Sequence, residues 1–338
     1  MQALICTAPG VLEYRDIQPP RTQPGQALLK IKCVGICGTD LHAFEGTQPY
    51  FTYPRILGHE LAGELVEHDN TLHLRSGEAV TVIPYFSCDR CIACRTGKPN
   101  CCVNLKVCGV HVDGGLVEYL SVPATALIPG EGLPFEQLAM VEPLAIGAHG
   151  VRRAGITEGD VVLVIGAGPI GLGAIEFAQL RGATVVAMDI NEGRLQFCRK
   201  NFKIPYTLNA SESNVAEQLQ ELTGGDMATV VIDATGNQKA INGALPFLAH
   251  GGRFVLIGLQ KEAISFSHPE FHKREATLMS SRNATKEDFQ YVMACIKNGS
   301  VRPEAFITHR VHFTGITSVF SSWLNPETSV IKAMVEMP

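Results

Sequence analysis

The chain of 338 residues has no uninterrupted apolar stretch long enough to cross a bilayer; even the run at 161–165 meets glycine and proline within a few residues. It also lacks any long basic run, and its formal net charge is −5. Nucleic acid and anionic membrane surfaces are therefore excluded as main partners. The N-terminal Met-Gln-Ala-Leu-Ile-Cys-Thr-Ala-Pro has no basic region followed by a long apolar one, so a cytoplasmic protein without a signal peptide is expected. Internal repeats and low-complexity tails are missing as well. What remains is ordinary globular composition, 46% hydrophobic and 18% charged, at a length that predicts two domains.

Against this plain background the cysteines stand out. There are eleven, an odd number, and they cluster. Without an export signal, that pattern speaks for metal or catalysis more than for disulfides. Cys88, Cys91, Cys94 and Cys102 are spaced closely enough to surround one tetrahedral Zn²⁺. The loop they punctuate has little that could form a core, so a metal would organise it. Cys101 adjoins Cys102, and spacing alone leaves the choice between them open. A second group is more dispersed: Cys37 in Gly-Ile-Cys-Gly-Thr-Asp-Leu-His42, then Gly58-His59-Glu60. A thiol, an imidazole and a spare carboxylate in one β-rich segment make a three-ligand zinc site with an open position plausible. Glu142 lies in the apolar helical stretch 138–149, where a carboxylate is usually paired or coordinating.

The second half is organised around Val161-Val-Leu-Val-Ile-Gly166-Ala-Gly168-Pro169-Ile170-Gly171, followed by a helical pattern, the apolar run 184–188 and Asp189. Strand, glycine turn, helix, strand and acid together form a dinucleotide fingerprint. Gly166 permits the turn, Gly168 lets backbone approach the pyrophosphate, and Gly171 lets helix pack on strand. The helix N-terminus, with Pro169 and Ile170, offers free N–H groups to phosphate. Asp189 sits where a carboxylate accepts from the adenosine ribose hydroxyls, which predicts NAD over NADP; Arg194 lies close enough to weaken that preference. Strands and helices alternate from about 150 to 275, the signature of a doubly wound parallel sheet. Its strand-end segments place Thr235, Gly236, Ile257 and Leu259 at the cofactor crevice. Residues 105–128 read as a hairpin turning at Asp113-Gly-Gly.

With both cysteine groups, Gly58-His59-Glu60 and the glycine fingerprint in place, the chain resembles the zinc-dependent medium-chain dehydrogenases from end to end. The resemblance implies a GroES-like β-barrel catalytic domain over 1–148, a Rossmann NAD-binding domain over 149–275, and a segment 276–338 returning to the first. It implies a catalytic zinc on Cys37, His59 and Glu142, with Glu60 a second glutamate able to swing onto it. A structural zinc falls on Cys88, Cys91, Cys94 and Cys102, making two ions per chain. Thr39 and His42 match proton-relay positions. Tyr53-Pro-Arg-Ile-Leu-Gly-His-Glu60, Gly109-Val-His-Val-Asp-Gly-Gly115 and Ser281-Arg-Asn-Ala-Thr285 bring the chain nearest to the sugar-acid and polyol branch. That branch implies NAD-dependent oxidation of a secondary hydroxyl on a hexonate such as L-galactonate or L-gulonate. Arg282 is the candidate for the substrate carboxylate, His111 a second one, and a homodimer or homotetramer is implied. Polyol and threonine 3-dehydrogenases share nearly every motif. A non-catalytic cofactor-binding protein would be expected to have lost zinc ligands, and all are present.

Overall fold

In the computed structural model, residues 1–49, 51–68 and 74–338 are described, and the chain forms two compact units. One comprises Met1–Pro143 and Thr285–Pro338; the other comprises Leu144–Ala284.

The first unit is built on a seven-stranded sheet. Its central strand, Gln26–Ile36, alternates half-buried and buried positions before becoming wholly buried at its end. The alternation places Ala27, Leu29 and Ile31 in one core. Glu60–His68 lies antiparallel to this strand on one side and Lys332–Glu336 on the other; Tyr119–Pro123 also pairs with it, and Ile307–His312 runs parallel to Lys332–Glu336. The register sets Gly35 opposite both Glu60 and Met334. Residues from both ends of the chain thus meet on one sheet.

The second unit carries six parallel strands in the order Tyr206–Asn209, Thr184–Asp189, Val161–Ile165, Ala228–Asp233, Leu248–Leu256 and Thr277–Ser280. These strands are apolar runs because both faces of such a sheet are covered. The order reverses between Val161–Ile165 and Ala228–Asp233, which opens a crevice at their C-terminal ends. The architecture is α/β, a Rossmann sheet joined to a GroES-like domain.

Two expectations need correction. Thr277–Ser280, read as part of the returning segment, pairs in parallel with Leu248–Leu256 and closes the six-stranded sheet; the chain re-enters the first unit only at Thr285. Nor does 105–128 form a hairpin. Lys106–Val107 pairs with Tyr85–Phe86, and Tyr119–Pro123 with the central strand. The glycines between them serve close packing instead. A Cβ at Gly114 would lie 2.4 Å from the Gly58 and Leu57 carbonyl oxygens, and one at Gly109 2.8 Å from that of Gly58. Asp113 accepts from the Ile56 amide rather than closing a two-residue turn.

Candidate active site and metal centres

The ligand atoms of Cys88, Cys91, Cys94 and Cys102 all lie within 4.8 Å of one another. Asp89 turns the backbone through the left-handed region (φ 55°), and the short helix Ile92–Arg95 starts directly after Cys91, which brings Cys94 back to Cys91 at 3.4 Å. Backbone N–H groups of Cys88 and Asn104 point at the Cys102 sulfur, at 3.3 and 3.4 Å. Such donors, first that of Arg90, pull the Cys88 thiol down to about 6, while burial and its cysteine neighbours push Cys94 up to about 12. Four thiols so close can ionise together only around a cation, so the donor set fits Zn²⁺. Cys102 is buried in this group; Cys101 is exposed and outside it.

The second centre is assembled from distant segments. Cys37 ends the central strand and caps the helix Gly38–Glu45; His59 and Glu60 open the neighbouring strand; one ligand atom of each lies within 4.8 Å of the others. Glu142, on the first turn of the helix Val141–Ala154, stands outside that tight group but acts electrostatically on His59. The Tyr85 hydroxyl donates to its Oε1. Oε2 of Glu142 and Oε2 of Glu60 are both buried with no hydrogen-bond partner. Orphaned carboxylate oxygens beside a thiol and an imidazole are what a bound cation would satisfy.

The electrostatics agree with this reading. Burial pushes Glu142 up to about 7; Glu60 adds to the rise, while His59 and the Tyr85 hydroxyl oppose it. Burial works against a charge on His59, but Asp40, Cys37 and Glu142 outweigh it and hold the imidazole well above its ordinary value. Burial, and then Glu142, keep the Tyr85 phenol protonated, so it remains a donor. Asp40 is wholly buried and accepts from the Cys37 and Gly58 amides at 2.9 and 3.0 Å; its Oδ1 lies 3.7 Å from His59 Nδ1. This carboxylate therefore ties together the two backbone segments that present Cys37 and His59. Glu60 is paired with Lys332, itself buried.

In the second unit, Gly166 has φ +99°, where an added Cβ would lie 2.8 Å from Thr235. A Cβ on Gly171 would stand 1.7 Å from the Gly166 carbonyl oxygen. Gly168 caps the helix Pro169–Leu180 and faces open space, where an added Cβ would meet only the Arg194 guanidinium, at 3.9 Å. That open cap, with unsatisfied N–H groups behind it, fits a pyrophosphate. Asp189 is buried and accepts from the Ala167 and Asn191 amides, both at 2.8 Å; Arg194 reaches within 3.8 Å of it. Across the crevice, Asp233 accepts from the Thr235 hydroxyl at 2.5 Å and the Gly236 amide at 3.1 Å. Gly236 and Gly258 interlock there, since a Cβ on Gly258 would lie 2.1 Å from the Gly236 nitrogen. Ile257 and Leu259 flank that contact, with Leu259 exposed.

Residues 23–134 match the alcohol dehydrogenase GroES-like domain, and 169–298 match the zinc-binding dehydrogenase family. L-galactonate-5-dehydrogenase of Escherichia coli K12 is 44% identical over 336 residues, 99% of this chain and 98% of that protein. The chain belongs to the zinc-dependent alcohol dehydrogenase family. Among solved structures of the family, an E. coli CFT073 alcohol dehydrogenase (rspB) complexed with NADH superposes with TM-score 0.93 at 30% identity, covering 99% of both chains. A putative zinc-binding dehydrogenase from Sinorhizobium meliloti 1021 bound to NADP gives TM-score 0.90 at 28% identity, covering 99% of this chain and 98% of that one. As a family member the chain is a zinc-dependent dehydrogenase acting on the CH–OH group of a small molecule. Among the described residues no helix is long and apolar enough to cross a membrane.

For this zinc-dependent alcohol dehydrogenase the remaining sequence candidates are placed as follows. Thr39 is half-buried on the first turn of Gly38–Glu45, while His42 is exposed on the same helix, its Nδ1 3.3 Å from the Thr47 hydroxyl. His111 is exposed, and its Nδ1 accepts from the Val107 amide, a local capping use. Arg282 is exposed just after Thr277–Ser280. Sequence reasoning missed Asp40, Tyr85 and Lys332. Only Lys332 left a signal, a single charge inside the apolar run Val330-Ile-Lys-Ala-Met-Val335.

Proposed function

We propose that the chain is an NAD-linked dehydrogenase that oxidises a secondary hydroxyl of a six-carbon sugar acid, L-galactonate or L-gulonate at C5, to the keto acid. The observation that carries this is the 44% identity, over nearly the whole of both chains, to a protein named L-galactonate-5-dehydrogenase. Two zinc ions are proposed, one held by Cys88, Cys91, Cys94 and Cys102, the other by Cys37, His59 and Glu142 with Glu60 adjoining. When bound, the second ion would supply a Lewis acid for the substrate oxygen, and a nicotinamide cofactor held in the crevice would supply the hydride acceptor.

The chain's own residues do the rest. Asp40 and Tyr85 fix His59 and Glu142 in place. Thr39 accepts the hydroxyl proton as it releases its own towards His42, which stands at the exposed part of the same helix and hands a proton to solvent. The cap of Pro169–Leu180 receives the pyrophosphate, and Gly166, Gly171, Thr235, Gly236, Ile257 and Leu259 shape the crevice around the cofactor. Asp189 accepts from the adenosine ribose and repels a 2′-phosphate. Arg194 tempers that repulsion. Arg282 clamps the substrate carboxylate through two parallel bonds, with His111 the lesser candidate for that contact. The chain works as a homodimer or homotetramer.

The deciding experiment is a turnover screen of hexonates, hexitols and threonine with NAD⁺ and with NADP⁺. The reading expects the highest kcat/KM for a hexonate with NAD⁺. A preference for sorbitol, galactitol or threonine over every hexonate would rule it out.

A further inference from the structure

Lys332 is the only lysine or arginine among the largest fully buried side chains of the described residues, and it lies in the first unit at the start of the last strand, Lys332–Glu336. Its ammonium binds a Glu60 carboxylate oxygen and, at 3.1 Å, the Ile36 carbonyl. The other oxygen, Glu60 Oε2, has no partner. Room for it exists because Gly35 faces Glu60 across the sheet; a Cβ at Gly35 would lie 2.0 Å from Oε2. Glu60 is thus held through one oxygen by a lysine, packs with the other against Gly35 without a hydrogen bond, and lies within ligand range of Cys37 and His59.

We propose that Lys332 is a positioning residue that tethers Glu60 beside the catalytic metal ion and so keeps a coordination position open for substrate. The inference rests on the ion proposed above at Cys37, His59 and Glu142. The charges support it. The Cys37 thiolate and the carboxylates of Glu60, Glu142 and Asp40 bring four negative charges into this buried space; a divalent ion and the Lys332 ammonium bring three positive ones, so the ammonium is needed. Removing the ammonium leaves a buried carboxylate without its counter-charge, an expensive state. The nearest remaining cation is then the ion itself, and Glu60 would move onto the position that a catalytic zinc site keeps free. A purely structural pin is the weaker explanation. The last strand is already paired to Gln26–Ile36 on one side and Ile307–His312 on the other, and a buried ion pair adds little stability over apolar side chains.

The test uses the full-length protein with Co²⁺ exchanged into the catalytic site, where visible absorption reports ligand number and imidazole serves as competing ligand. Lys332→Met should alter the Co²⁺ spectrum and weaken imidazole binding by roughly tenfold or more. Lys332→Arg should preserve both. Combining Lys332→Met with Glu60→Gln should restore the spectrum and bring imidazole affinity back to within about threefold of wild type. An unchanged spectrum and affinity in Lys332→Met, or a double variant as impaired as the single one, would overturn the tether. Should Lys332→Met fail to fold, Lys332→Gln is measured in its place, and unchanged imidazole affinity there overturns the proposal equally. A wild-type protein that shows no Cys37-dependent Co²⁺ spectrum would instead remove the ion, and with it both readings.

Discussion

The two units reach their chemistry by opposite routes. In the unit Leu144–Ala284, recognition is mostly a property of backbone: an open helix cap at Gly168, a tight turn at Gly166, and strand ends brought together by Gly236 and Gly258. Its glycine turn, helix cap and acid fall within one short run, 161–189. In the other unit the candidate catalytic centre consists of side chains from residues 37, 59, 60, 85, 142 and 332, which become neighbours only on the folded sheet. Backbone recognition tolerates side-chain change but no added Cβ. The side-chain centre should behave the other way, withstanding changes of packing and failing on the loss of a single charge or ligand.

The largest effect should come from the side-chain centre. Cys37→Ser is expected to leave a folded chain whose turnover drops on the order of a thousandfold, since a Lewis acid is worth several kcal/mol in the transition state. Cys91→Ser should instead lower the melting temperature or abolish assembly, because it opens a tetrahedron that holds a loop without a core. Elemental analysis with circular dichroism separates the two. One metal or fewer per active wild-type chain would break the distinction.

Next in size is the substrate contact. Arg282→Ala should lower kcat/KM for a hexonate roughly ten- to a hundredfold, the worth of a charge-assisted bond, and should lower it less for a neutral hexitol. An equal loss for both would remove Arg282 from the carboxylate.

In the backbone site, Gly171→Ala places a methyl 1.7 Å from the Gly166 carbonyl oxygen. It should cost about 1–3 kcal/mol of stability and weaken NAD⁺ binding, read by thermal melts with and without cofactor. Gly243, by contrast, has nothing within 4 Å of an added Cβ, so Gly243→Ala on its helix should leave both unchanged. If the two substitutions behaved alike, the backbone account of the crevice would fail.

The smallest effect concerns the base of the same unit. Asp160 accepts from the Thr157 amide and the Thr229 hydroxyl and pairs with Arg253 at 2.5 Å. Burial opposes ionisation there, but these donors hold the carboxyl below its usual value. A lowered native value stabilises the fold above the ordinary carboxylate pKa, and this contribution disappears as pH falls through the lower native value. Arg253→Ala should therefore cost about 1–2 kcal/mol near neutrality, with the difference from wild type shrinking below about pH 4. Denaturant titrations at pH 7 and pH 3 would check the sign.

Much of the molecule is legible in the chain itself. Four cysteines with tight spacing and a strand leading into Gly166-x-Gly168-x-x-Gly171 are local patterns, and local geometry gives them meaning. The parallel sheet follows from apolar runs that alternate with helical periods. Legibility fails where glycines are read only as turns. Those at 109, 114 and 115 make room for another segment, a need that exists only once residues 57–61 lie against them. It fails likewise for Thr277–Ser280, a short strand whose neighbour is set by the sheet and not by its own composition.

The sequence by itself thus determined the close group of cysteines at 88, 91 and 94, the dinucleotide fingerprint and the α/β class, because spacing along the chain is enough to bring those groups together. Tertiary structure places Cys102 in the cysteine group, as the resemblance implied, and it alone decided that Tyr85 holds Glu142, that Asp40 ties Cys37 to His59, and that Lys332 reaches Glu60 across 272 residues of chain. The physical reason is range. Thiol spacing and glycine turns act over a few residues, whereas a buried charge takes its partner from whatever strand the sheet sets beside it, however far away in sequence that strand begins.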